Sequence, residues 1–140
     1  MQREHLRDVA ERLLRYEAVA AKAGTEAAAF RVSEKLGDRL SQLLGAAGFQ
    51  ALLARALHLA TAGAPELSAV EVRPDGSLAG RSKSGRHSRS TQMAKGEVML
   101  ITELLALLDT FIGEALMLRL VQDVWPKATL DALKDEETRG

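Results

Sequence analysis

The sequence predicts an all-α protein: a bundle of about four helices with a small β-hairpin between helices three and four. Two observations lead there. Hydrophobic residues make up 46% of the chain but aromatic ones only 4%. The core must therefore be aliphatic, built from Leu and Ala, which rank high on the helix-propensity scale. Apolar positions also recur at spacings of three and four through most of the chain, the period of one helix face. At 140 residues the chain suits a single domain, 1–140, large enough to bury a real core.

The first helix is expected over residues 3–23. Leu6, Val9, Leu13, Tyr16 and Ala20 form its apolar stripe, and Glu4, Arg7, Asp8, Glu11, Arg12 and Arg15 its polar face. Asp8–Arg12 and Glu11–Arg15 are opposite-charge (i, i+4) pairs worth roughly a few tenths of a kcal/mol each. Gly24 and Thr25 interrupt, and Thr25 is placed to cap a second helix over about 26–44. Ala29, Val32, Leu36, Leu40, Leu43 and Ala47 make the second stripe. Gly37 lies inside it and points to the close approach of another backbone. Gly45-Ala-Ala-Gly48 marks a turn or kink. A third helix, about 48–62, carries Leu52, Leu53, Ala56, Leu57, Leu59 and Ala60 over more than half its circumference, which makes it central.

The segment LSAVEVRPDGSLAG, 67–80, is the one strand-like piece. Pro74-Asp75-Gly76 supplies the turn, since Pro presets φ and Gly accepts positive φ. A lone two-stranded ribbon is marginal in water, so it must lean on the helices or on another chain. Residues 79–96, AGRSKSGRHSRSTQMAKG, hold five cations and no acid. By composition they read as a flexible basic linker at about 80–95.

The fourth helix, EVMLITELLALLDTFIGEALMLRLVQDVW, spans 97–125 and is closed by Pro126. Leu100, Leu104, Leu107, Leu108, Phe111, Ala115 and Leu118 form its stripe. Thr102, Glu103, Asp109 and Thr110 make the opposite face of its first half polar. Beyond Gly113 that polarity nearly vanishes, so the second half should be buried on most sides by its own chain or a partner. A membrane span is rejected here, because Glu103, Asp109, Glu114 and Arg119 would each cost about 2.5–3.5 kcal/mol near a bilayer centre. Thr129 is placed to cap a short tail helix through Leu133.

Net charge is zero, which argues against a whole-surface attraction to nucleic acid or anionic lipid. The absence of cysteine excludes disulfides, thiolate metal sites and a Cys nucleophile, and fits a reducing cytoplasm. The N-terminal MQREHLRDVAERLL is charged where a signal peptide needs an apolar run. A cytoplasmic location is expected.

The segments 30–60, 69–80 and 104–126 together resemble a group of small bacterial proteins with no assigned function. The shared order is a helix with an EKL run, a Gly-Phe helix start, a hairpin ending in DGSL, and a TFIGEAL-type helix ending in VWP. The resemblance covers about two thirds of the chain. It implies the helical fold but no activity, cofactor or active site, and the Ser/Arg linker is more basic than the group's pattern.

Candidate chemistry is sparse. His5, His58 and His87 lie in three separate contexts, and positions 54 and 62, where a second ligand beside His58 would sit, are alanines. No metal and no cofactor are expected. Di-metal bundles use Glu-x-x-His on facing helices, and no such motif occurs here. Gly45-x-x-Gly48 joins helices rather than a strand to a helix, which disfavours phosphate binding. Glu114 is an acid amid apolar neighbours. It is expected to form a buried ion pair, with Arg119 as a leading partner and Arg55 or Arg39 as alternatives. On that reading Glu114→Ala costs about 3–5 kcal/mol and Glu103→Ala under about 0.5.

The favoured function is a non-enzymatic interaction or adaptor protein. It self-associates as a homodimer through Leu116, Met117, Leu120, Val124 and Trp125 and docks a further, unidentified protein. The first rival is a nucleic-acid-associated regulator using Arg81, Lys83, Arg86 and Arg89. The second is a small-molecule sensor or enzyme with a pocket near Glu114.

Overall fold

The protein is all-α. A computed structural model describes residues 2–21, 28–73, 78–80 and 91–126. Four helices follow in order: α1, Arg3–Ala21; α2, Ala28–Gly63; α3, Thr91–Ile112; and α4, Glu114–Val124. Between α2 and α3 lie a 3-10 turn, Pro65–Ala69, and two short strands, β1 (Val70–Val72) and β2 (Leu78–Gly80). The strands pair antiparallel, with Glu71 opposite Ala79. The expected turn residues, like Thr25, residues 81–90 and the tail around Thr129–Leu133, lie outside the described residues.

Helix α1 buries Leu6, Ala10, Leu13, Leu14 and Glu17. These five fall on one arc of about 100°. The stripe is thus rotated from the expected one: Val9 is only half-buried and Tyr16 is exposed, while an acid occupies the centre of the face.

Helix α2 is broken at Gly45, whose φ of 82° and ψ of 159° are not helical. That combination is close to glycine-only, so the Gly-Ala-Ala-Gly turn signal is realised at its first residue. A straight helix would hold residues twelve apart about 18 Å from each other. Instead the Phe49 ring lies directly against Gly37, where an added Cβ would sit 2.6 Å from a ring carbon. The close approach expected at Gly37 is made by an aromatic side chain, not by a backbone. The first limb buries Ala29, Val32, Leu36 and Leu40, as the periodicity required. Leu43 and Ala47 depart from it and face solvent, because they flank the break. Leu52, Leu53, Ala56 and Ala60 of the second limb are buried.

Helix α3 is the centre of the molecule, packed on α2, α1 and α4. It starts at Thr91, so the last residues of the expected linker are helical. Leu100, Ile101, Thr102, Glu103, Leu104, Leu105 and Leu108 are all buried. Two residues of the predicted polar face, Thr102 and Glu103, are therefore inside, while Asp109 is half-buried and Thr110 exposed as expected. Thr102 can be buried because its hydroxyl donates to the Val98 carbonyl, 2.6 Å away. Glu103 can be buried because the Arg3 guanidinium of α1 donates to its carboxylate. Glu97, also buried, reaches α2: its Oε1 accepts from the Ala29 backbone N–H at 3.1 Å. A carboxylate at a helix N-terminus satisfies an orphan donor and favours the helix dipole.

The expected continuous fourth helix is divided at Gly113, with φ 87° and ψ 159°. Gly45 and Gly113 share this conformation, and a Cβ at either would meet open space. The glycines are required by backbone geometry, not by crowding. Val124 ends α4, and Trp125 leaves helical geometry at φ −128°, ψ 68°, as the steric demand of Pro126 on its neighbour dictates. Among the described residues, α2 alone is long and apolar enough to cross a membrane by length and composition.

Candidate interaction groove

Helix α4 is placed by one buried carboxylate. Glu17 of α1 has no solvent exposure. Its Oε2 accepts from Lys35 Nζ at 2.5 Å and from the Trp125 indole Nε1–H at 2.8 Å, and its Oε1 from Arg31 Nε at 3.2 Å. Three elements thus meet on one side chain: α1, the first limb of α2, and the end of α4. Burial pushes the Glu17 carboxyl up, but the hydrogen bonds from Lys35 and Trp125, the Lys35 charge and the Arg31 hydrogen bond together outweigh it. The net result is a carboxyl held below its ordinary value. Trp125 is itself 1% exposed and completes the core beside Met117, Leu120 and Val121.

With α4 anchored in this way, a groove of about 290 Å³ opens between it and the first limb of α2. Its lining is Arg39, Gln42 and Leu43 from α2 and Leu116, Arg119, Leu120 and Asp123 from α4. Leu43 is 60% exposed and Leu116 46%. Leu44 and Phe111, at 40% and 69%, are also exposed beside the two glycine breaks.

This arrangement revises the expected site. Of the five predicted interface residues, Met117, Leu120 and Trp125 are buried within the chain and Val124 is half-buried. Only Leu116 presents a large free surface. The expected excess of apolar surface on α4 is absorbed by α1, α2 and α3, because the break at Gly113 turns α4 back onto them. The buried ion pair of Glu114 and Arg119 is not formed: both residues are exposed, and Glu114 is the first residue of α4. An acid there meets the positive end of the helix dipole in water and needs no arginine. Among the described residues the buried acids are Glu17, Glu97 and Glu103, and Arg55 and Arg39 are exposed. Periodicity alone gave no sign of Glu17, since an acid at a core position looks like one more residue of the polar face. Arg81, Lys83, Arg86 and Arg89 lie outside the described residues. Among the described residues no three His, Asp or Glu side chains converge as a metal site would need.

The order of the two glutamates is reversed accordingly. Glu103→Ala should cost about 1 kcal/mol, the value of a partly exposed pair with Arg3 plus some packing. Glu114→Ala should cost under about 0.5 kcal/mol. Thermal melts of the two variants check the order, and a larger loss for Glu114 would contradict the exposed position.

Comparison with family models, with curated proteins and with solved structures finds no match to this chain.

Proposed function

We propose that this is a non-enzymatic helical interaction protein that self-associates through its C-terminal helical segment. The observation that carries the reading is the exposure of large apolar side chains beside the two glycine breaks, Leu43 and Leu44 near Gly45 and Phe111 and Leu116 near Gly113, with Leu43 and Leu116 lining one groove. The groove is open and rimmed by charges of both signs, Arg39 and Arg119 against Asp123. A small-molecule site would instead be enclosed, with convergent polar groups. A second copy of the chain fits these features, because a two-fold interface places the same patch on both sides and pairs each residue reciprocally. Arg119 and Asp123, one turn apart on α4, are self-complementary about such an axis.

A cytoplasmic location is part of the proposal. As a membrane span, α2 would place the break at Gly45 and the charge of Arg55 in hydrocarbon, where unpaired backbone groups and a cation are costly.

Sedimentation or light scattering across the micromolar range tests the reading. The mass should rise with concentration, and Leu116→Glu should weaken association by about tenfold or more, equivalent to about 1.4 kcal/mol. A protein that stays monomeric throughout would overturn it.

A further inference from the structure

Resting on self-association, we infer how it occurs: two copies exchange α4, with Gly113 as the hinge, so that each Trp125 closes on the Glu17 of the other chain. The first argument is the hinge itself. One residue separates α3 from α4, and helical hydrogen bonds abut it on both sides. Gly113 N–H donates to the Asp109 carbonyl at 2.9 Å, and Met117 N–H donates to the Gly113 carbonyl at 3.0 Å. Joining the helices requires only that the N–H groups of residues 114–116 reach the carbonyls of 110–112. Residues 114–116 are solvent-exposed in the bent form, so pairing them buries no orphan group. Rotating Gly113 from φ 87° into the helical region is all the backbone change needed. The sequence permits the straight form, since its hydrophobic pattern runs from 97 to 125 without proline.

The second argument is the seat. An exchanged α4 makes with the partner the same contacts that it makes here with its own chain. Met117, Leu120, Val121 and Trp125 fill the same core, and the Trp125 indole N–H reaches the same kind of Glu17 carboxylate. Complementarity of that interface is therefore given by the closed form. This accounts for C-terminal residues that are core in one chain and interface in two. The third argument is the source of a net gain. Exchange creates new contacts only near the hinge, and the residues there are Phe111 and Leu116, 69% and 46% exposed in the closed chain. Covering them supplies apolar burial that the monomer forgoes.

The chain has no cysteine, which makes a direct test clean. Gln42 and Arg119 line the same groove from α2 and α4. In the double variant Gln42→Cys/Arg119→Cys, a short bis-maleimide should link the two positions within one chain in the monomer fraction. In the dimer fraction the within-chain link should be lost and the same two positions should be joined between chains, giving a covalent dimer on a denaturing gel. Links only within single chains in an isolated dimer fraction would overturn exchange while leaving self-association standing. A monomer at every concentration would overturn both. Gly113→Ala provides a second measurement independent of the cross-link. Alanine is strained in the bent hinge and favoured in the straight helix, so the dimer association constant should rise by about tenfold or more. Glu114→Pro should act oppositely: proline is suited to the first position of α4 but not to the interior of a continuous helix. It should abolish the dimer while the monomer stays folded. A Glu114→Pro protein that dimerises as well as the wild type would overturn the hinge.

Discussion

Removing both cations from Glu17, as Arg31→Ala with Lys35→Ala, should destabilise the fold by about 3–5 kcal/mol, the cost of leaving a buried charge uncompensated. Lys35 and Arg31 keep 43% and 35% of their side chains in water, so the lower end of that range is expected. Either single variant leaves one cation in place and should cost about 1 kcal/mol. Urea denaturation midpoints at constant slope measure the loss. Adding Glu17→Gln to the double variant should recover part of it, because no charge is then stranded. Small, additive losses in all these variants would place the weight of the fold elsewhere.

The same carboxylate gives the protein an acid sensitivity of known sign. Its folded-state pKa lies below the unfolded one. Ionised Glu17 therefore stabilises the fold at every pH above the ordinary carboxylate value, and that contribution is lost as pH falls through it toward the depressed folded value. The wild type should lose more stability than Glu17→Gln between pH 7 and the acid range. In the Arg31→Ala/Lys35→Ala variant burial is no longer outweighed, so the sign should invert and mild acid should stabilise.

Trp125→Ala should cost about 3–5 kcal/mol, the cost of emptying a large buried aromatic site. Trp125→Phe keeps most of the apolar volume but loses the indole donor to a charged acceptor, which should cost about 1.5–3 kcal/mol. Because Trp125 is the one tryptophan of the chain, its fluorescence in the wild type reports the environment of this residue alone. Both variants are compared by circular dichroism during denaturation. Wild-type stability for Trp125→Phe would remove the Glu17 hydrogen bond from the account. Equal losses for Phe and Ala would remove the packing contribution.

The extent of the helices was legible because it depends on local terms. Ala and Leu content, three-four spacing and glycine placement mark α1 and both limbs of α2 close to where they occur. The stripe Ala29, Val32, Leu36, Leu40 is buried as read. Gly113 was visible too, but a glycine in an apolar run is as compatible with a tight helix contact as with a break. The choice between them depends on what α4 can pack against.

What the sequence determined by itself is therefore the class of fold, the aliphatic core and the places where helices can end. The tertiary structure decided which face each helix buries and where the polar groups go. Glu17 sits at the centre of a buried face because Arg31, Lys35 and Trp125 converge on it, and Glu103 is inside because Arg3 reaches it from α1. Both glutamates look like surface residues along the chain. A helical period assigns a residue to a face, but the cost of burying a charge on that face is set by partners distant in sequence. Those partners exist only once the fold has brought them together.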